Sequence, residues 1–286
     1  MTQTVITAAM VKELRDRTGI GMGKCKEALE TSQGDIELAI SNLRKAGMAS
    51  AVKKEGRSTN EGVIVFAENT DAVALVEVKT ETDFVARNER FQQFATQLAQ
   101  EVVNKTPRSV EDFLEHSYHY DGHEMTADQH RAVLVQAIGE NIQISRLQIF
   151  KKSSDKSIGI YSHLGGKIVC VVELTGASGE EPFAKDIAMH VAAASPEYLT
   201  PETVPEAILA NEREIAQSQM QGKPANMVDK IVAGKLEAFY GTNCLSRQKY
   251  IRDDELTIAQ LVEQRAKAIG KPLVLTGFVR WSLTQG

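Results

Sequence analysis

The chain has 286 residues, which exceeds one typical domain of about 100 to 200 residues and predicts two or three packed units. Apolar residues make up 42% and charged residues 25%, a balance typical of a folded globular protein and not of a disordered or fibrous one. The net charge of -5 argues against a nucleic-acid partner, because acidic proteins repel phosphate backbones.

Three short helices are predicted in an N-terminal module, residues 1–47. Apolar residues recur there at helical spacing, and the glycines of TGIGMG and a later Gly34 interrupt them. Asp35 is a candidate N-cap of the third helix. The following segment, 48–61, is small, polar and locally basic, which predicts a linker.

Two later segments share the order of a β-hairpin, a helix and a final strand. Core subdomain N, residues 62–150, has a helix from about Asn88 and a last strand whose alternation breaks near Ser145, which predicts a bulge. Core subdomain C comprises 151–195 and 241–286. The repeated order indicates an internal duplication, and the predicted fold class is α+β with antiparallel sheets.

An insertion, residues 196–240, separates the two parts of subdomain C. Two amphipathic stretches flank a GKP sequence at 222–224, which predicts an antiparallel helical hairpin. Each helix of such an arm buries only one apolar stripe, against the other helix. The remaining apolar surface therefore suits a second copy of the chain or another partner. The alternative is a solvated spur.

The segment Gly19 to Lys24 has only a superficial likeness to a phosphate-binding loop. Thr18 stands where that loop needs a glycine, and Cys25 stands where it needs a serine or threonine. A glycine-rich turn between helices is therefore favoured. Met22 and Lys26 form a candidate contact patch there.

The segment HSYHYDGHE contains His116, His119 and His123, whose spacing would suit a metal ion on a helix. Its Asp-Gly pair instead favours a solvated loop, so no metal and no cofactor are predicted. His190 lies in the middle of a predicted helix, which is typical of a hydrogen-bonded core or interface histidine. No residue pattern indicates covalent catalysis.

Cysteine usage and hydropathy predict a cytoplasmic location. The three cysteines are far apart and form no C-x-x-C pair, as in reduced cytosolic proteins. The longest apolar run, Ile168 to Val172, is far shorter than the roughly 18 residues of a membrane span. The first residues lack the basic and apolar regions of an export signal.

The sequence Thr82-Asp83-Phe84-Val85 lies between a predicted strand and a predicted helix. In one interpretation, Asp83 caps backbone amides and Phe84 staples the helix end into the core. The residue pattern alone favours this interpretation, because large aromatics are more often buried than functional. In the other, the loop presents an acid and an aromatic ring to a pocket on another protein.

Four segments in chain order carry a family resemblance: VKELRDRTGIGMGKCKEALE, VKTETDFVARNERF, IGENIQISRLQ and AMHVAAASPEYL. Together, from about residue 5 to residue 282, the chain resembles bacterial translation elongation factor Ts. The resemblance implies a guanine-nucleotide exchange factor, not an enzyme, whose partner is the GTPase elongation factor Tu. It also implies that the Thr-Asp-Phe-Val loop enters the G domain, displaces magnesium and promotes GDP release.

The resemblance assigns a role to each loop residue: Phe84 is the wedge, Asp83 perturbs the magnesium site, and Thr82 and Val85 complete the loop. It implies further partner contacts at Met22, Lys26, Ile138, Gly139 and His163. The inserted arm resembles the family's dimerisation arm, so a homodimer is a further expectation. Family members often continue past the final strand into a helix that packs on the GTPase, and this sequence departs from that pattern after Ser282.

Two alternative functions stay open. An enzyme with a spatially assembled site would turn over a substrate without elongation factor Tu. An adaptor would bind another protein through the N-terminal module, which is similar to ubiquitin-associated domains, and would keep its function after Phe84→Ala.

Overall fold

A computed structural model describes residues 5–120, 122–218 and 225–283 of the chain. The chain forms two compact units, of which the first runs through Lys151 and includes Leu283, and the second is Lys152–Ser282. Helices and antiparallel sheets occur in both units, which confirms the predicted α+β class. The finer division of each unit into modules stays a prediction.

The first unit begins with helices and continues into a sheet. Its elements are, in chain order, α1 (Ala8–Thr18), α2 (Met22–Thr31), α3 (Ile36–Lys54), β1 (Glu61–Glu68), β2 (Ala72–Thr80), α4 (Asp83–Ala86), α5 (Glu89–Lys105), α6 (Val110–Glu115), β3 (Ser117–Tyr120), β4 (His123–Thr126), α7 (Ala127–Ile138) and β5 (Ile142–Lys151).

The sheet of the first unit has the strand order β1-β2-β5, and both pairings are antiparallel. One face of β2 packs against the apolar side of α5, where Phe91, Phe94 and Leu98 are buried. The register between β2 and β5 shifts so that Glu77 pairs with Arg146 and Val78 pairs with Ile144. The predicted bulge at Ser145 is thus confirmed.

Helices α1, α2 and α3 enclose a small core of their own, in which Leu14, Cys25 and Leu29 are fully buried. The side chain of Asp35 accepts a hydrogen bond from the Leu38 amide at 3.0 Å, so the predicted N-cap is confirmed. Three helices therefore form where the apolar spacing predicts them.

The predicted linker is wrong for its first part, because α3 continues to Lys54. Ala51 is buried in the core of the first unit, and the Lys54 ammonium donates to the Val135 carbonyl at 3.2 Å. A Cβ on Gly47 would lie only 3.1 Å from the Ala132 carbonyl oxygen of α7. Small residues let two helices pack closely, and Met48 of the same helix end packs against this core, so the helix end has a buried face although most of its residues are small or basic.

The elements of the second unit are, in chain order, β6 (Lys156–His163), β7 (Ile168–Thr175), α8 (Glu181–Ala194), α9 (Glu206–Ser218), α10 (Ala225–Asn243), β8 (Lys249–Tyr250), β9 (Asp253–Thr257), α11 (Ile258–Ile269) and β10 (Val274–Ser282). Single 3₁₀ turns precede α9 and β8.

The main sheet of the second unit has the antiparallel order β10-β7-β6. As in the first unit, the second strand of a hairpin is central and a later strand completes the sheet. Helix α8 packs on this sheet through Ala184, Ile187 and Val191. His190 of α8 is fully buried, and its Nε2 lies 3.0 Å from Oε1 of Gln248, which confirms a hydrogen-bonded core histidine.

The predicted arm corresponds to α9 and α10. Leu209 at the start of this pair is buried together with Val204 and Cys244, and Leu236 and Phe239 pack against that cluster. Helix α10 extends to Asn243, beyond the predicted end of the insertion at residue 240. The predicted GKP turn lies outside the described residues.

No helix in the described ranges has both the length and the apolar character that a membrane span requires. All three cysteines are buried and unpaired. Burial raises the pKa of the Cys170 thiol to about 12, which keeps it protonated and unreactive near neutral pH.

The buried His130 of α7 makes stability depend on pH. Its Nδ1 lies 2.6 Å from the Tyr118 hydroxyl, and burial lowers the pKa of His130 to about 4 from an ordinary value of 6.5. The unfolded chain therefore binds this proton more tightly than the folded chain does. The stability that the neutral ring contributes is fully present above its ordinary pKa and is lost as the pH falls toward 4.

We expect the unfolding free energy of the wild type to drop, between about pH 7 and pH 4.5, by about 2 kcal/mol more than that of His130→Leu. Urea unfolding of both proteins at the two pH values measures this difference. An equal drop in the two proteins would show that His130 does not contribute to the pH dependence.

Candidate functional site

The predicted Thr-Asp-Phe-Val loop forms a one-turn helix, α4, between strand β2 and helix α5. Thr82 is its N-cap, with its hydroxyl accepting from the Val85 amide. Asn88, six residues after Thr82, caps α5 by accepting from the Arg90 and Phe91 amides. Two N-caps so close together stop the chain from forming one continuous helix and instead produce a short projecting turn.

Phe84 is the most exposed large apolar side chain in the described residues, with 83% of its surface accessible. The interpretation in which Phe84 staples a helix end into the core is therefore wrong. Its neighbours hold the turn in place: Ala86 is buried and Val85 packs against the core of the first unit. Asp83 caps no amide but pairs with Arg87 at 3.2 Å.

Glu140 fixes the base of this turn. Its carboxylate accepts hydrogen bonds from the Thr80 hydroxyl at 2.9 Å, the Thr82 amide at 3.0 Å and the Thr82 hydroxyl at 2.6 Å. Such charge-assisted bonds are about twice as strong as neutral ones. The exposed ring thus stands on a base held by a carboxylate from another part of the chain.

A second set of contacts supports the same base. Glu81 accepts from the Asn141 amide at 2.6 Å and pairs with Arg57 at 3.4 Å. The side-chain amide of Asn141 donates to the carbonyls of Glu55 and Arg57. Two consecutive residues, Glu140 and Asn141, therefore join the loop to the segment that follows α3.

The structure brings the predicted contact residues Ile138 and Gly139 next to this base, since Glu140 follows them directly. Gly139 ends α7 with a φ of +96°, a conformation that favours glycine. It is exposed, whereas Ile138 is partly buried against the core. Gly139 thus leaves exposed backbone beside the Phe84 turn.

Met22 and Lys26 lie one helical turn apart at the start of α2. Met22 is 48% accessible, and Lys26 is exposed with only a 3.7 Å pair to Glu30. A Cβ on Gly21 or Gly23 would meet nothing within 4 Å. The backbone around Met22 is therefore open to close approach by another molecule.

Of the glycines near Met22, Gly19 has a structural role inside the chain. Its φ is +70°, and a Cβ there would collide with the Arg90 guanidinium, which donates to the Gly19 carbonyl at 2.8 Å. This bond joins the α1–α2 turn to the first turn of α5. The interpretation of the segment as a turn between helices is confirmed, since residues 19–21 join α1 to α2.

His163 lies in the second unit, at the end of β6. It is exposed, and its Nδ1 lies 3.2 Å from the hydroxyl of Tyr161. Leu164, the next residue, is 67% accessible and has a φ of +50°. The pair forms an exposed hairpin tip.

The histidine-rich segment is a two-stranded hairpin, β3 and β4, so the predicted solvated loop is wrong. Tyr118 of β3 pairs with Met125 of β4, and both side chains are buried. His123 lies near Arg17 and Glu37. Within the described ranges, no three histidine, cysteine or acidic side chains are placed to hold a metal ion.

Glu140 is the residue of this site that sequence patterns missed. It stands in the IGENIQISRLQ segment that carries the family resemblance, but its only signal is a position directly after a helix-ending glycine. Its partners, Thr80 and Thr82, lie about 60 positions away.

A braced turn that displays an exposed aromatic ring is typical of a protein that binds another protein, because such rings serve as interface anchors. Comparison with known proteins identifies the family. The family model for elongation factor TS matches residues 81–285. The elongation factor Ts of Protochlamydia amoebophila is 60% identical over 280 residues, covering 98% of this chain and 99% of the relative.

Two further relatives are the elongation factors Ts of Chlamydia muridarum and Chlamydia felis, each 45% identical over 273 residues and covering 96% of both chains. The chain belongs to the elongation factor Ts family of translation elongation factors.

Proposed function

We propose that this protein is the guanine-nucleotide exchange factor for elongation factor Tu, and that it acts by inserting the Thr82–Val85 turn into the G domain of that GTPase. The observation that carries the proposal is the 83% accessibility of the Phe84 ring on a turn that two hydrogen-bonded acids hold in place. Family membership supports the partner.

The exchange mechanism follows from what a GTPase uses to hold GDP. Backbone amides and a lysine bind the phosphates, and a magnesium ion offsets their charge. A ring wedged between elements of the G domain, with the Asp83 carboxylate close to the metal, loosens this grip without breaking a covalent bond. By linkage, GDP weakens the binding of the exchange factor by the same factor.

The free energy needed to weaken GDP binding indicates that the Phe84 ring does not act alone. A 10³-fold loss of GDP affinity corresponds to about 4 kcal/mol of differential binding. Burying one phenylalanine contributes about 2 kcal/mol. We infer that the remainder comes from the other predicted contacts, at Met22, Lys26, Ile138, Gly139 and His163.

Exchange on elongation factor Tu is the direct test. Elongation factor Tu is loaded with fluorescent GDP, excess unlabelled GDP is added, and release is followed with the chain at a small fraction of the GTPase concentration. We expect faster release, with each molecule serving many GTPase molecules. Release at the spontaneous rate would refute the proposed function.

Glu140→Gln tests whether the base of the turn has to be held. The substitution preserves size but replaces one acceptor oxygen with an amino group, which cannot accept from Thr82. We expect a kcat/KM for exchange about fivefold lower, equivalent to about 1 kcal/mol. Hydrogen exchange at the Val85 amide should become faster.

The matched control is Glu115→Gln, because Glu115 is exposed at the end of α6. The control should retain wild-type exchange. If both variants behave like the wild type, the Glu140 carboxylate does not position the turn.

We also propose the finer features of the fold that the sequence predicts. The three N-terminal helices form a module of the ubiquitin-associated type, and the two three-stranded sheets are duplicated copies of one arrangement, as their shared strand order supports. The protein acts in the cytoplasm, without binding nucleic acid or membrane.

The arm formed by α9 and α10 is the proposed dimerisation surface. Ile208 and Ile215 on α9 are 38% and 43% accessible, and such exposed apolar residues on a helical arm suit a second copy. Sedimentation of the wild type and of Ile215→Glu distinguishes a dimer from a monomer.

A further inference from the structure

A cavity of about 330 Å³ lies in the first unit, between the N-terminal helices and the core. Helices α1 and α3 form one wall, and α5, the β3–β4 hairpin and α7 form the other. The volume is in the range of small-molecule sites, which begins at about 300 Å³. None of the predicted partner contacts lines it.

The charged residues that line this cavity are predominantly cationic. Three arginines, Arg17, Arg44 and Arg90, border it, and Asp16 is the sole acid among its described lining residues. Arg17 is held by Glu37 at 2.9 Å, and Arg90 is held by the Gly19 carbonyl. A guanidinium carries five N–H donors, so both retain donors beyond these bonds.

Arg44 differs from the other two arginines. It is half-buried in the cavity wall, and no hydrogen bond or ion pair joins it to the rest of the described chain. A half-buried guanidinium without an anion favours binding of a carboxylate or phosphate, which it recognises through two parallel hydrogen bonds.

The remaining lining is apolar and aromatic. Tyr120 lies over His130 with 3.8 Å between ring centroids, and Phe94 meets the same histidine edge-on at 4.8 Å. Ile40 and Leu43 face the cavity from α3. A flat aromatic group would find stacking partners and apolar contacts between these walls.

We propose that this cavity is a binding site for a small planar aromatic anion, with the anionic group at Arg44 and the ring between the α3 and α5 walls. The site is independent of the proposed exchange activity. A ligand there would contact both α3 and α5 and so hold the N-terminal helices to the core.

Anilinonaphthalene sulfonate is a suitable probe because it combines an aromatic body with one anionic group. Calorimetric titration near neutral pH compares the wild type with Arg44→Glu and with a matched control, Lys45→Glu. Lys45 carries the same charge on the same helix but is exposed and does not line the cavity.

We expect one saturable site in the wild type and in Lys45→Glu, and at least about tenfold weaker binding in Arg44→Glu. Near-ultraviolet circular dichroism establishes that all three proteins are folded. Absence of a saturable site, or equal weakening in both variants, would overturn the proposal.

Filling the cavity is a second test that leaves the arginines intact. Gln97 lines the cavity, whereas Gln100 is exposed on the same helix. Gln97→Phe should abolish probe binding, and Gln100→Phe should not. Wild-type binding by Gln97→Phe would place the probe elsewhere and refute the site.

Competition identifies the chemistry of the natural ligand. Displacement of the probe by adenosine monophosphate, or by benzoate, supports an aromatic anion and distinguishes a phosphate from a carboxylate group. If inorganic phosphate displaces the probe as well as either aromatic compound does, the site binds simple anions and the proposal fails.

Discussion

Replacing Phe84 with alanine is expected to remove most of the acceleration of GDP release from elongation factor Tu, with kcat/KM lower by about tenfold or more. Tenfold corresponds to about 1.4 kcal/mol, which is within the energy that a buried aromatic anchor contributes at an interface. Because the ring is 83% accessible in the free protein, its removal loses little native packing. The melting temperature should therefore stay close to that of the wild type.

Phe66→Ala is the matched control for this experiment. Phe66 lies on β1 of the same unit and is 40% accessible, so the same atoms are removed from another exposed position. Fluorescent GDP release should be near the wild-type rate for this variant. Wild-type release by Phe84→Ala would contradict the wedge mechanism, even if the chain still accelerates exchange through other contacts.

Features that depend on neighbouring residues could be predicted from the sequence. The break in alternation at Ser145 indicates the bulge because successive side chains of a regular strand point to opposite faces of the sheet. Asp35 is recognisable as an N-cap because its partner, the Leu38 amide, is three residues away.

Features that depend on distant segments could not be predicted in the same way. Glu140 bonds to Thr82 across 58 positions, and no local pattern identifies that pairing. The segment 48–61 favours a linker because it is small, polar and locally basic, although Ala51 within it is buried in the core of the first unit. The lack of a side chain on the preceding Gly47 is what allows α3 to approach α7.

The accessibility of Phe84 shows a limit of another kind. An aromatic residue beside a helix start is more often buried, and the residue pattern alone favours that interpretation. The ring is exposed because Val85 and Ala86 occupy the inward positions of α4. Only the orientation of this single turn, which distant Glu140 helps to hold, decides which side chain faces outward.

Gly159→Ala is expected to cause the largest loss of stability among the substitutions considered. A Cβ on Gly159 of β6 would lie 2.1 Å from the Lys185 nitrogen and 2.2 Å from the Ala184 carbonyl carbon of α8. Both are backbone atoms, so a side-chain rotation cannot relieve the collision, and α8 has to move away from the sheet. Overpacking of this kind costs about 3 kcal/mol or more, equivalent to a melting temperature lower by roughly 10 °C.

The control is Gly234→Ala, in the interior of α10, where a Cβ would meet nothing within 4 Å. Alanine is the better helix former there by about 1 kcal/mol, so this variant should be as stable as the wild type or slightly more stable. Thermal unfolding followed by circular dichroism compares the three proteins. A melting temperature for Gly159→Ala that equals the wild-type value would mean that β6 and α8 do not pack backbone to backbone at this position.

The Gly159→Ala substitution leaves the Phe84 turn untouched. Well below the melting temperature, the exchange activity of this variant should therefore fall only to the extent that the second unit is unfolded or displaced.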